Sequence, residues 1–139
     1  MAMKIEKVDV WEGNISDEAG GLAQALAPLA AAGADLSFVI ARRRPDFPGS
    51  GVVFVGGLRG AKQLKAAHSV GISKAKDVVG LRIQTPDKRG LVYGLSAALA
   101  AAGINVRGVF AAPMGRRCVL MLAFDSAADR DRAAKLLRS

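Results

Sequence analysis

One passage of this chain is written twice. Ser16–Leu36, "SDEAGGLAQALAPLAAAGADL", and Pro86–Val106, "PDKRGLVYGLSAALAAAGINV", share one plan at an offset of 70 residues. Asp17 matches Asp87, Gly20 matches Gly90, Leu29 matches Leu99 and Gly33 matches Gly103. Further on, Asp35 pairs with Asn105, Val39 with Val109 and Ala41 with Ala111. Alanine runs look alike by chance. Glycines bracketing a helix, with a trailing β-branched strand, do not, so the passage is an internal duplication. The whole chain has 139 residues, enough for one ordinary domain or two very small ones, and the duplication selects two.

Each copy reads as the same order of elements. "KIEKVDVWEG" is β-prone and ends at Gly13. Gly20–Gly21 opens a helix with Leu22, Leu26 and Leu29 on one face, and Gly33 supplies the left-handed residue that stops it. Pro28 within that helix costs ~3 kcal/mol and predicts a kink; Ala98 replaces it in the second copy. A strand, "ADLSFVIARR", a turn, "RPDFPGSG", and an antiparallel partner, "VVFVGG", follow, then a helix from Leu58 to about His68. "VGISKAKDVVGLRIQT" carries the chain into copy two. There "VVGLRIQT", a helix from Gly90, "INVRGVFAA", "RCVLMLAF" and a helix from about Ser126 repeat the order.

The expected fold is therefore α+β: two tandem ferredoxin-like β-α-β-β-α-β units, with antiparallel sheets and helices on one face. The units are expected at residues 1–76 and 77–139. The chain stops at Ser139, directly after the last helix, so the second unit is expected to lack its last strand. That predicts a three-stranded sheet with an edge that is exposed or covered by a partner.

A unit of this order, with Asp-x-x-Gly before the first helix and Gly-Ile-Asn-Val after it, resembles the ACT domain family, in particular small stand-alone proteins of two ACT domains. The resemblance covers almost the whole chain. It implies a regulatory module that binds an amino acid or similar small effector. It also implies a site between the strand-to-helix loop of one unit and the second strand of a neighbour. The positions that match are Asp17, Gly20 and Gly21 in copy one, and Asp87, Gly90 and Leu91 in copy two, with Lys88 and Arg89 between them. Asp35 and Leu36, and Ile104 and Asn105, match the second-strand side. The chemistry agrees: a helix start offers unpaired N–H groups and positive dipole to a carboxylate. Glycine there leaves no Cβ in the ligand's way. The aspartates could cap the helix or face an ammonium group. Glu18 would repel a carboxylate, so the copy-two loop is the better candidate.

The remaining signals narrow the function. A net charge of +8 raises the prior for anionic partners, but the cations are diffuse apart from Arg42–Arg44 and Arg116–Arg117. The sheet strands "GVVFVGG" and "CVLMLAF" are mainly aliphatic, which disfavours nucleic acid, since an RNA-binding sheet needs aromatics there. Gly56–Gly57–x–x–Gly60 lacks dinucleotide spacing and reads as a tight turn. His68 has no ligand partner at metal spacing, and Cys118 reads as a small core hydrophobe in a chain suited to a reducing cytoplasm. No apolar run is long enough to cross a bilayer, and no signal peptide is evident. No nucleophile–base pair, acid pair or metal set emerges, so the expectation is a non-enzyme without cofactor or metal. Its partners would be a small effector, most simply an amino acid, and a second copy or a partner enzyme. Two alternatives stand beside it: a structural subunit with no ligand, and an RNA-binding ferredoxin-like module.

Overall fold

The computed structural model describes residues 3–138. The elements run β1 (Lys4–Ser16), α1 (Gly21–Ala31), β2 (Phe38–Arg43), β3 (Ser50–Gly56), α2 (Gly60–Ser69), β4 (Ser73–Pro86), α3 (Leu91–Ala101), β5 (Gly108–Met114), β6 (Arg117–Phe124) and α4 (Ala127–Arg138). They form two compact units. One is Asp9–Ala75; the other joins the chain from Lys76 onward to the residues up to Val8. The long strands β1 and β4 are therefore each shared along their length, the chain leaving one unit and entering the other partway through.

In the first unit β3 lies between β2 and the second half of β1, antiparallel to both, with Phe38 opposite Gly56 and Trp11 opposite Val55. The Phe38 ring fills the space beside Gly56, where any added Cβ would lie 2.2 Å from Cε1. Leu29 of α1, Val53 and Val55 of β3, Ala67 of α2 and Ile72 form the buried core, with Trp11, Ile15, Leu26 and Leu36 packed around it. Pro28 stands inside α1, and Ala32 donates its N–H to the Pro28 carbonyl at 3.0 Å, so the helix continues past it. The helix expected from Leu58 starts only at Gly60. Leu58 packs against the core, and the left-handed φ of Gly57 and Gly60, 92° and 79°, keeps the intervening backbone out of helix.

The second unit corrects the linear division at residue 76. The last described element is α4, and the residues up to Val8 pack in this unit and not in the first. The first half of β1 lies next to β4, so the order in this unit is β1-β4-β6-β5. Met3 and Ile5 pack against the buried cluster of Leu81, Ile83, Leu99, Leu120, Leu122 and Phe124. Arg138 donates to the Ile5 carbonyl at 3.2 Å, Lys7 pairs with Asp131 at 3.0 Å, and Glu6 with Arg82 at 3.5 Å. The expectation of a three-stranded sheet open at that side is overturned by this strand. The physical reason is that β4 carries Leu81 and Ile83, both wholly buried, and an unpaired edge beside them would strand backbone polar groups out of water.

The duplication is visible atom by atom. Each of α1 and α3 ends in a Schellman motif: Ala34 and Ile104 donate to Leu29 and Leu99 at 3.0 and 2.9 Å, around Gly33 and Gly103 with φ of 79° and 73°. The sheet register shows where the copies diverge. Ile15 opposes Gly51 while Thr85 opposes Cys118, so the offset is 85 − 15 = 70 in one strand and 118 − 51 = 67 in the other. The hairpin of the second copy is three residues shorter. Ser126 caps α4, its Oγ accepting the Asp129 N–H at 3.1 Å.

Candidate functional site

The strand-to-helix loops are built alike in both units. Asp17 donates its N–H to Gly49 at 3.0 Å, and Asp87 donates to Arg116 at 2.8 Å, tying each loop to the tip of its own hairpin. Gly20 and Gly90 then turn the chain in the left-handed region, with φ of 89° and 75°, immediately before α1 and α3. Neither helix has a side-chain cap, and the first helical bonds are donated by Gln24 and Gly94. The capping role open to Asp17 and Asp87 is thus not taken up. The N–H groups of Leu22 and Ala23, and of Val92 and Tyr93, precede those bonds and point out of the helix start. Nothing lies within 4 Å of a Cβ built at Gly20 or Gly90, so the space above both turns is open.

The electrostatics of the two loops differ. In the first unit Arg43 holds the Asp17 carboxylate through its Nε, and Glu18 stands next in the chain. Arg44 is used as well, donating to Asn14 at 3.0 Å and lying 4.8 Å from the Phe47 ring centroid. In the second unit Lys88 and Arg89 are exposed, and the bond from Asp87 brings Arg116 and its neighbour Arg117 to the same end. Among the described residues none of these four cations is in an ion pair. Lys88 and Arg89 thus precede the open start of α3 in the chain, and the hairpin tip at Arg116 is bonded to the same loop. Arg116 and Arg117 were legible as a basic pair, but only the hairpin register carries them to the loop.

Three expected site residues serve packing instead. Leu91 and Ile104 are 6% and 4% exposed, inside the second core, and Leu36 packs against the first. They can offer a ligand backbone alone. Gly21 is also structural: a Cβ there would lie 2.0 Å from the Ser16 carbonyl oxygen, so the helix start is pressed against the end of β1. Asp35 and Asn105 are exposed, and both lie in the connection before the second strand, not on it. Within either unit the helix separates them from the glycine loop, so the structure does not bring the two predicted sets together inside one copy.

His68, in the last turn of α2, lies beside Trp11, ring centroids 6.4 Å apart, and Cys118 is buried. Among the described residues no group of three metal-ligating side chains occurs, and no helix is long and apolar enough to cross a membrane.

Two ferredoxin-like units with glycine-opened helices define the ACT type of fold, and solved structures share it. Protein BT0572 from Bacteroides thetaiotaomicron superposes with a TM-score of 0.75 at 14% identity, covering 97% of this chain and 88% of its own. The regulatory subunit of aspartate kinase from Thermus thermophilus, in its ligand-free form, gives 0.67 at 15% identity, covering 99% and 95%. The corresponding subunit from Thermus flavus gives 0.59 at 17% identity, covering 98% and 93%. No family model matches the chain, and no curated protein does. At these identities the likeness establishes the fold.

Proposed function

We propose that the protein is a non-catalytic regulatory module that binds a small carboxylate-bearing effector, an amino acid most simply, at the loop 87–91. The observation that carries this is the open, uncapped start of α3 among Lys88, Arg89 and Arg116, beneath a glycine that leaves the approach clear. A carboxylate there would meet the N–H groups of Val92 and Tyr93 and the positive end of the helix dipole. The first-unit loop, with Asp17 held by Arg43 and Glu18 beside it, is the weaker anion seat. The regulatory subunits of aspartate kinase among the fold's neighbours support a regulatory role acting on a partner enzyme.

A thermal-shift screen of the twenty amino acids tests the reading. A ligand at a hundred times its Kd adds about 2.7 kcal/mol of stability. That gain should fall away in Lys88→Ala/Arg89→Ala, whose side chains are exposed and fold-neutral. Flat melting curves at millimolar concentration for all twenty would refute it.

A second reading, assembly through a second copy, is favoured by one observation. The edge strand β5 exposes Val109, Phe110 and Met114 at 55%, 54% and 67%. Such an edge is a template for pairing. A monomer by light scattering at high protein concentration would remove that reading.

A further inference from the structure

At the opposite end of α1 from its glycine loop, the first unit has a depression of about 270 Å³ lined by Gly33, Asp35, Gly57, Arg59 and Gln63. Its size is just under the about 300–1,000 Å³ of drug-sized sites. Asp35 and Arg59 carry opposite charges, yet among the described residues neither is in an ion pair. Two residues of opposite charge thus line one recess without pairing. Gln63 accepts the Arg59 N–H through Oε1 at 2.7 Å, which leaves its amide N–H groups free to donate. Arg59 begins α2 with no side-chain cap, so the first N–H groups of that helix are also open.

The wall is held by a glycine that cannot be replaced. Gly57 has φ of 92°, and a Cβ there would lie 2.8 Å from Ser37 N and 2.9 Å from Asp35 O. Behind it the Ser37 hydroxyl is buried without a hydrogen-bond partner among the described residues.

The duplicate shows that the fold does not need this recess. Ser37 N–H donates to Gly56 O at 2.9 Å, and Arg107 N–H to Ala123 O at 2.8 Å, so Gly57 corresponds to Phe124. Phe124 is wholly buried and fills the corner. Arg107, in the place of Ser37, donates to the Asp77 carbonyl at 2.7 Å and pairs with Asp125 at 3.5 Å. Asp35 becomes Asn105 and Arg59 becomes Ser126, which spends its hydroxyl on capping α4. One copy closes the corner with a ring and ion pairs; the other keeps it open with unpaired charges of both signs.

We infer that this recess is a second binding site, separate from the loop 87–91, for a small zwitterion. Its cationic group would meet Asp35, and its anionic group Arg59 and the start of α2, with Gln63 donating between them.

Amide NMR of the full chain tests it, with L-alanine as the zwitterion, acetate as the anion alone and ethylammonium as the cation alone. L-Alanine should shift the Gly33 and Gly57 amides and the Gln63 side chain in a saturable manner. Acetate and ethylammonium should each bind at least tenfold more weakly. Asp35→Asn and Arg59→Gln, both at exposed positions, should each weaken L-alanine at least tenfold while the remaining spectrum keeps its native dispersion. The inference is overturned by absence of saturation at 100-fold excess over protein, or by equal shifts from the singly charged probes. Affinity unchanged in both variants would overturn it as well. Shifts confined to the loop 87–91 and the start of α3 would overturn it while upholding the loop reading. Shifts confined to Gly33, Gly57 and Gln63 would do the reverse.

Discussion

Removing the residues up to Val8 should selectively destabilise the unit that lies farthest from them in sequence. Met3 and Ile5 are partly buried against the second core. Full burial of such a side chain contributes about 1.5–3 kcal/mol, so the pair at half burial amounts to about 2 kcal/mol. The hydrogen bond from Arg138 to Ile5 adds about 0.5–1.5 kcal/mol. Truncation also strips the backbone partner from β4, beside the wholly buried Leu81 and Ile83, at about 1–3 kcal/mol for each group left unsatisfied. Counting a single such group, the sum is about 4–6 kcal/mol, against a total stability of about 5–15 kcal/mol for an ordinary domain. At 1.4 kcal/mol per tenfold, protection of core amides should fall by roughly a thousandfold or more. Hydrogen exchange read by mass spectrometry resolves the effect by peptide. A chain beginning at Asp9 should lose protection across β5, β6 and α4, while α1, β3 and α2 keep most of theirs. Native protection in the peptides covering Arg117–Phe124 would refute the assignment of the N-terminal strand to that unit. A linear division at residue 76 makes the opposite prediction, with the loss falling on residues 9–75.

Three further outcomes follow from the same structure. Gly33→Ala and Gly103→Ala should each destabilise by about 1–2 kcal/mol, because a Cβ is disfavoured at φ of 79° and 73° while the space around both is empty; chemical denaturation measures it. Gly21→Ala should cost more, about 1–3 kcal/mol or above, since its Cβ would collide with the Ser16 carbonyl, and a wild-type melting curve would contradict the packing described. The Lys7 ammonium, with Arg130 assisting, holds the Asp131 carboxyl below its ordinary value of 3.8. A carboxylate pKa depressed by folding gives stability that is fully present above that ordinary value and fades as pH falls through the folded one. The stability difference between wild type and Lys7→Gln should therefore be constant near neutrality and shrink in acid, with urea titrations at several pH values as the check.

The copied passage, its bracketing glycines and the order of elements were all present in the residues themselves, because they are local. Helix stops depend on a left-handed position that only glycine adopts readily, and Gly33 and Gly103 declare themselves wherever they fall. The open glycine turns before α1 and α3 were legible for the same reason. Three things required tertiary structure. The N-terminal strand completes the second unit because sheet pairing is non-local, and nothing in "KIEKV" states which edge it will cover. The copies lose their common offset after Ala41 and Ala111, since the hairpin shortening shifts the register silently. The cationic surround of the 87–91 loop and the charged recess at Asp35 and Arg59 also depend on folding. Charge and shape add up across segments only once backbone hydrogen bonds, such as Asp87 to Arg116, bring those segments together.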